Sequence, residues 1–241
     1  EAGRWLGKAA DQGTIGACEM LGALYADGLG LPQDFEAAAE WFRRAALAGD
    51  ANALFHLGSL QLSGLGLPQD PNAALDWYRK AAERGSGTAC LKLGVVYASG
   101  KFVPQDYAAA ADWFATAIER GNLDAKYNLA FLHIRGLGVR LDASRGVALL
   151  KEAAAEGHAS SVWALYNLYA EGQYIPADPA VAIEWLERAA EMGSKAAVTR
   201  LLQWLDEGRH AGLQASRVLR LLERFGESGD ADAQSTLGTF L

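Results

Sequence analysis

Apolar residues recur at helical spacing in short blocks, and a glycine closes each block. Between Asp50 and Gly64, Ala53, Leu57, Leu60 and Gln61 share one helical face. Between Asp70 and Gly85, Ala74, Trp77, Tyr78, Ala81 and Ala82 share another. The pattern predicts two helices joined by the loop Leu65-Gly66-Leu67-Pro68-Gln69. Asp50 and Asp70 stand where an N-cap carboxylate accepts from the free N–H groups of the first turn. Pro71 occupies the first turn of the second helix, where its missing N–H is harmless. Gly64 reads as a left-handed residue just past the first helix, and Gly85 ends the second. Gly58 lies mid-helix, where glycine costs about 1 kcal/mol against alanine. A helix approaching closely at that point explains it, and Gly22, Gly94 and Gly238 share the position.

This block is one of many. Gly13, Gly49, Gly85, Gly121, Gly157, Gly193 and Gly229 stand 36 residues apart. So do Gly28, Gly64, Gly100, Gly136, Gly172 and Gly208, and a leucine series from Leu21 to Leu237. A fixed period without insertions means a stacked repeat array, and such arrays count as one elongated domain. The expected division is a half repeat at 1–13, full repeats at 14–49, 50–85, 86–121, 122–157, 158–193 and 194–229, and a half repeat at 230–241. Glu1 falls inside a repeat, so the natural N-terminus is expected upstream. Both ends are expected to expose apolar faces, with Trp5 and Leu237 as markers. Trp5, Trp41, Trp77, Trp113 and Trp185 recur in step, with Leu149 and Leu221 as replacements, and read as core. The Ala-Ala pairs at 9–10, 45–46, 81–82, 153–154 and 189–190 read as close helix contacts.

The run Leu21-Gly22-x-x-Tyr25-x-x-Gly28-Leu29-Gly30-x-x-x-Asp34-x-x-x-Ala38-x-x-Trp41-x-x-x-Ala45-Ala46-x-x-Gly49 resembles the Sel1-like repeat, a relative of the tetratricopeptide repeat. The resemblance spans the chain. It implies an all-α superhelix, or solenoid, of helix–turn–helix units that acts as a protein-interaction scaffold or adaptor. Repeat 158–193 departs by placing Tyr166 at the close-packing glycine. Repeat 194–229 departs further, with Leu202, Gln214 and Phe225-Gly226 at motif positions, so a changed geometry is expected there. The cysteine pair that marks the family's secreted branch is absent.

Composition narrows the function classes. The 241 residues are 51% hydrophobic and 21% charged, with a net charge of −7. That acidity argues against nucleic acid, whose binders show a basic face. No apolar run reaches the ~18 residues of a membrane span. Cytoplasm and bacterial periplasm both stay open. Cys18 and Cys90 hold one register two repeats apart, too far for a disulfide across stacked helices, and are expected to be buried free thiols.

No catalytic constellation is legible. His56, His133, His158 and His210 occupy four different registers, with no metal-ligand spacing. The loops Gly28-Leu29-Gly30, Gly64-Leu65-Gly66 and Gly136-Leu137-Gly138 follow helices rather than strands and lack a third glycine, so they do not cradle a dinucleotide. The chain is expected not to be an enzyme and to hold no cofactor or metal.

A varied stripe remains. On each first helix, positions 3, 7, 10 and 14 share a face distinct from the core positions 4, 8, 11 and 12. By analogy with tetratricopeptide arrays that face lines the concave groove. Its residues are small, polar or mixed in charge, which suits an extended peptide. Taken singly, each reads as a solvated residue; the stripe as a whole reads as a binding surface. Asn128, Phe131 and Arg135 form the expected centre, with Lys92, Asn167 and Arg200 as flanks. Phe131 is the only aromatic in the stripe, and an aromatic beside an arginine is the usual composition of a hot spot. Lys92, Arg135 and Arg200 point to an acidic or carboxylate-bearing peptide. Asn128 has a structural alternative, a bond to the neighbouring helix. The alternative function is a bacterial envelope protein that supports polysaccharide export or binds carbohydrate through its aromatics. A cell-wall hydrolase would need a catalytic cluster that is not visible.

Overall fold

The structure, a computed structural model, describes residues 1–206 and, beyond them, Arg220, Glu223 and Glu227 alone. The described residues form twelve helices and no strand. They are α1 (Ala2–Asp11), α2 (Ile15–Asp27), α3 (Phe35–Leu47), α4 (Ala51–Ser63), α5 (Pro71–Glu83), α6 (Gly87–Ser99), α7 (Tyr107–Glu119), α8 (Leu123–Arg135), α9 (Ala143–Ala155), α10 (Ala159–Glu171), α11 (Pro179–Glu191) and α12 (Lys195–Asp206). The chain divides into two compact units, residues 1–129 with 137–139, and residues 130–136 with 140–241. In the first, each helix from α1 to α7 packs on the next; in the second, α9 to α12 do the same. Neighbour-on-neighbour stacking is the mark of an α/α repeat solenoid.

The ends of the helices follow the expected chemistry. Asp34, Asp50, Asp70, Asp106, Asp142 and Asp178 each accept from backbone N–H groups of the first turn that follows them. Ser86 and Asn122 perform the same task for α6 and α8. Gly28, Gly64, Gly100 and Gly172 close the first helices of their repeats in the left-handed conformation.

The loop has a second anchor that the pattern alone did not show. Gln33, Gln69 and Gln105 donate through Nε2 to the carbonyls of Ala26, Leu62 and Ala98, at 2.8, 3.0 and 2.8 Å. A backbone bond lies beside each of them, such as Asp70 N–H to Gln61 O at 3.1 Å. Together they hold the loop against the first helix and set where the second begins. Leu141 and Ala177 occupy the glutamine register in the next two repeats, where only the backbone bonds from Asp142 to His133 and from Asp178 to Tyr169 remain.

The mid-helix glycines mark size matching across each pair. A Cβ added at Gly58 would stand 2.7 Å from the Tyr78 ring and 3.1 Å from Ala74 O; one at Gly22 would stand 2.6 Å from the Phe42 ring. Gly94 faces Phe114 in the same way. Where the chain substitutes Ala130 for the glycine, the facing residues change with it. Leu150 replaces the ring and Gly146 replaces an alanine; a Cβ at Gly146 would meet Ala130 O at 2.6 Å. In the next repeat Tyr166 takes the glycine register and Leu186 the ring register, both buried. The protein thus moves bulk from one helix of the pair to the other while keeping the interface filled.

The tryptophans differ from expectation. Trp41, Trp77, Trp113 and Trp185 are half-buried, not core, and Trp5 is 61% exposed. A cation three residues on covers the ring: Arg44 over Trp41 at 4.4 Å, Lys80 over Trp77 at 4.7 Å, Arg188 over Trp185 at 5.5 Å. The indole edges the core while its face takes a cation from water, an arrangement favourable by about 0.5–1 kcal/mol at exposed sites. Leu149, lacking such a face, is fully buried at the same register. Leu237, the other expected marker of an exposed end, lies outside the described residues, as do Leu221 and His210. Cys18 and Cys90 are buried and unpaired. Arg120 Nη1 lies 2.6 Å from Cys90 Sγ, and burial still raises the thiol's pKa.

Candidate functional site

The first-helix stripe is open along the described repeats. Met20, Asp27, Asn52, Ser63, Thr88, Val95, Ser99, Asp124, Arg135, Asn167, Glu171, Arg200 and Gln203 are exposed. Core positions one residue along, Ala53, Ala89, Ala125, Ser161 and Ala197, are fully buried. Within the stripe Ala164 is buried, and Ala23, His56, Ser59, Lys92, Asn128 and Phe131 are half-buried.

In the first unit, Lys92 is half-buried on α6 and Asn128 half-buried on α8. Asn128 Nδ2 donates to Asp124 O of its own helix at 2.7 Å. That bond stays within α8. His56 and Ser59 share the stripe on α4. His56 stacks on Phe42 with ring centres 4.6 Å apart, and its Nε2 lies 3.7 Å from Glu19 Oε1. Burial lowers the imidazole's pKa even though Glu19, Asp27 and Asp50 pull it up. Ser59 Oγ donates to Phe55 O and lies 3.1 Å from Tyr78 Oη.

In the second unit, Arg135 stands over two rings, Phe131 and Tyr174, at 5.7 Å from each centre. Phe131 and Arg135 therefore lie together on α8, and Tyr174, from the loop after α10, joins them. Asn167 and Arg200 come together in a groove of about 460 Å³ between α10 and α12. Trp163, Tyr166, Glu171 and Gln203 line it with them. Arg200 is positioned from two sides: Nε donates to Tyr166 Oη and Nη1 to Gln203 Oε1, each at 3.1 Å. Trp163 and Tyr166 meet edge to face with ring centres 5.6 Å apart.

Sequence reasoning missed Trp163 and Tyr166 as part of this site. The available signal was Tyr166 itself, a large phenol at a register that elsewhere holds glycine. The groove combines an aromatic floor, one guanidinium, one carboxylate and two amides. Such a set can grip a chain's backbone amides and one apolar side chain, but it provides no nucleophile with an adjacent base. No group of three or more metal-binding side chains occurs among the described residues. No helix among them is long and apolar enough to cross a membrane.

The family model for the Sel1 repeat matches residues 1–14, 15–50, 51–86, 87–122, 123–158 and 163–194. The chain belongs to the Sel1 repeat family. A Sel1 repeat protein from Oxalobacter formigenes superposes with a TM-score of 0.72 at 29% identity, over 89% of this chain and 88% of that one. A Sel1 repeat protein from Klebsiella pneumoniae subsp. pneumoniae gives 0.50 at 21% identity, over 83% and 98% of the two chains, a likeness of fold alone. No curated protein matches the sequence. Sel1 repeat proteins are generally protein-interaction scaffolds, and the fold is typically non-catalytic.

Proposed function

We propose that this Sel1 repeat protein is a non-catalytic adaptor that holds an extended segment of a partner protein on its first-helix face. The single observation that supports this reading best is the groove between α10 and α12, where Arg200 and Asn167 flank Trp163 and Tyr166. An extended peptide needs partners for its backbone groups and a slot for a side chain. Asn167 and Gln203 supply the first, and the aromatic floor supplies the second. Phe131 and Arg135 belong to the same reading in the second unit; Lys92 and Asn128 present the equivalent face of the first. The cations at Lys92, Arg135 and Arg200 favour an acidic or carboxylate-bearing segment, each exposed ion pair adding about 1 kcal/mol or less.

The test is capture of partners from a cell extract by the wild type and by the double variant Phe131→Ala, Arg135→Glu, followed by affinity measurement on the purified partner. The variant should melt close to the wild type and bind at least about tenfold more weakly, about 1.4 kcal/mol. A stable variant that binds normally refutes this placement. The second reading is a saccharide, favoured by Trp163 beside the Asn167 and Gln203 amides, since sugars stack on indole and bond to amides. Calorimetry with soluble oligosaccharides decides between them; heat with sugars and none with the captured protein supports the second.

A further inference from the structure

A second groove lies on the opposite helices of the first unit, away from the stripe. About 570 Å³ opens between α3 and α5, floored by Leu54 and Trp77 and edged by Leu47, Arg43, Lys80 and Arg84. We propose that this groove docks an acidic segment of a partner protein that carries one large apolar side chain. Three observations support this, the first two of them differences from the other described repeats.

The first is Leu47, 90% exposed at the end of α3. Asp11, Glu83, Glu119, Ala155 and Glu191 hold the same register in the other described repeats. This repeat alone among them places a large apolar side chain there, where all of the others but Ala155 carry a negative charge. A fully exposed leucine adds nothing to folding, so packing within the chain does not account for it.

The second is Arg84. Its counterpart Arg120 donates to Ser86 O and Cys90 Sγ at 3.4 and 2.6 Å. Leu54 stands where Cys90 does, and a leucine accepts no hydrogen bond. The Arg84 guanidinium instead lies over Gly49, and among the described residues it makes no hydrogen bond or ion pair. Its donors remain available to a carboxylate, which a guanidinium binds bidentately.

The third is charge. Arg43, Lys80 and Arg84 face the groove against the single carboxylate of Glu83, on a chain whose net charge is −7. Lys80 is 4.7 Å from the Trp77 ring centre, so the cation and the indole are held as one surface. An apolar floor within a ring of cations complements an apolar side chain flanked by carboxylates, and repels a basic segment.

The test uses the whole chain and a fluorescein-labelled, acetylated peptide with one tryptophan between pairs of glutamates, and its twin with lysines for glutamates. Fluorescence anisotropy should show the acidic peptide binding, weakening as salt is raised, and the lysine peptide binding at least about tenfold more weakly. Leu47→Glu, which installs the acid of the other repeats at a fully exposed position, should weaken the acidic peptide at least about tenfold with an unchanged melting temperature. Arg43→Glu with Arg84→Glu should abolish it. Phe131→Ala with Arg135→Glu should leave it unaltered, which separates this groove from the first-helix face. Equal affinity for the two peptides, an indifferent Leu47→Glu, or no binding of the acidic peptide up to millimolar concentration overturns the proposal. Retention on anionic phospholipid vesicles without peptide binding overturns it too.

Discussion

Gly94→Ala is a test of how the helix pairs close. In an exposed helix this change stabilises by about 1 kcal/mol, because alanine is the better helix former. Here the new methyl would stand 2.5 Å from Phe114 Cδ1 and 3.0 Å from Cζ, far inside contact distance. Phe114 is 1% exposed, so its ring must shift within the buried interface to admit the methyl. Overpacking of this kind costs about 1–3 kcal/mol. Set against the propensity gain, the net loss is about 1 kcal/mol, up to about 2. That corresponds to a fall in melting temperature of about 2–8 °C for a chain of this size. Phe114→Leu alone removes part of a buried ring and costs about 1–2 kcal/mol. The double variant copies the pairing of Ala130 with Leu150 that the chain already uses, so its loss should fall short of the two single losses added together. A coupling of about 0.5 kcal/mol or more in that direction is expected. Urea denaturation of the four proteins, followed by circular dichroism, completes the cycle. If Gly94→Ala is neutral or stabilising, or if the two changes simply add, the glycine is not there to admit the ring and the size-matching argument fails.

Two further predictions concern a cap and a titrating side chain. Asp106 accepts from Ala109 N–H at 2.9 Å and leads into α7; Asp106→Ala should cost about 1 kcal/mol, and Asp106→Asn, which keeps the acceptor, should restore most of it on the same urea curve. His56 has a pKa lowered from 6.5 by burial, so the unfolded chain binds more protons than the folded one in the acid range. The stability attached to this residue is present above about pH 6.5 and is lost as the pH falls through the depressed folded value. The difference in stability between wild type and His56→Gln, measured from pH 8 to pH 5, should therefore shift against the wild type on acidification; a flat difference or one of opposite sign refutes the burial argument.

The 36-residue period, the cap aspartates and the closing glycines were legible because each is a local demand of the backbone. A left-handed C′ residue and a carboxylate before a first turn are needed wherever a helix ends or begins, whatever surrounds it. Period and helical phase also placed positions 4 and 8 in the core and left position 3 open on every described first helix, whereas Tyr25, Gln61, Tyr97, His133 and Tyr169, at core position 12, are only half-buried. Tertiary packing decided the rest. The tryptophans share the core's spacing, yet they sit at its edge under Arg44, Lys80 and Arg188, because burial depends on how far the next repeat reaches across. Asn167 and Arg200 looked like any other stripe residues until α10 and α12 brought them against Tyr166. A stripe is set by one helix, whereas a groove is set by the gap between two, and that gap depends on which helix of a pair carries the bulk. For that reason Gly58 was readable as a place of close approach, while the groove beside Tyr166, and the cationic one beside Leu47, needed the fold.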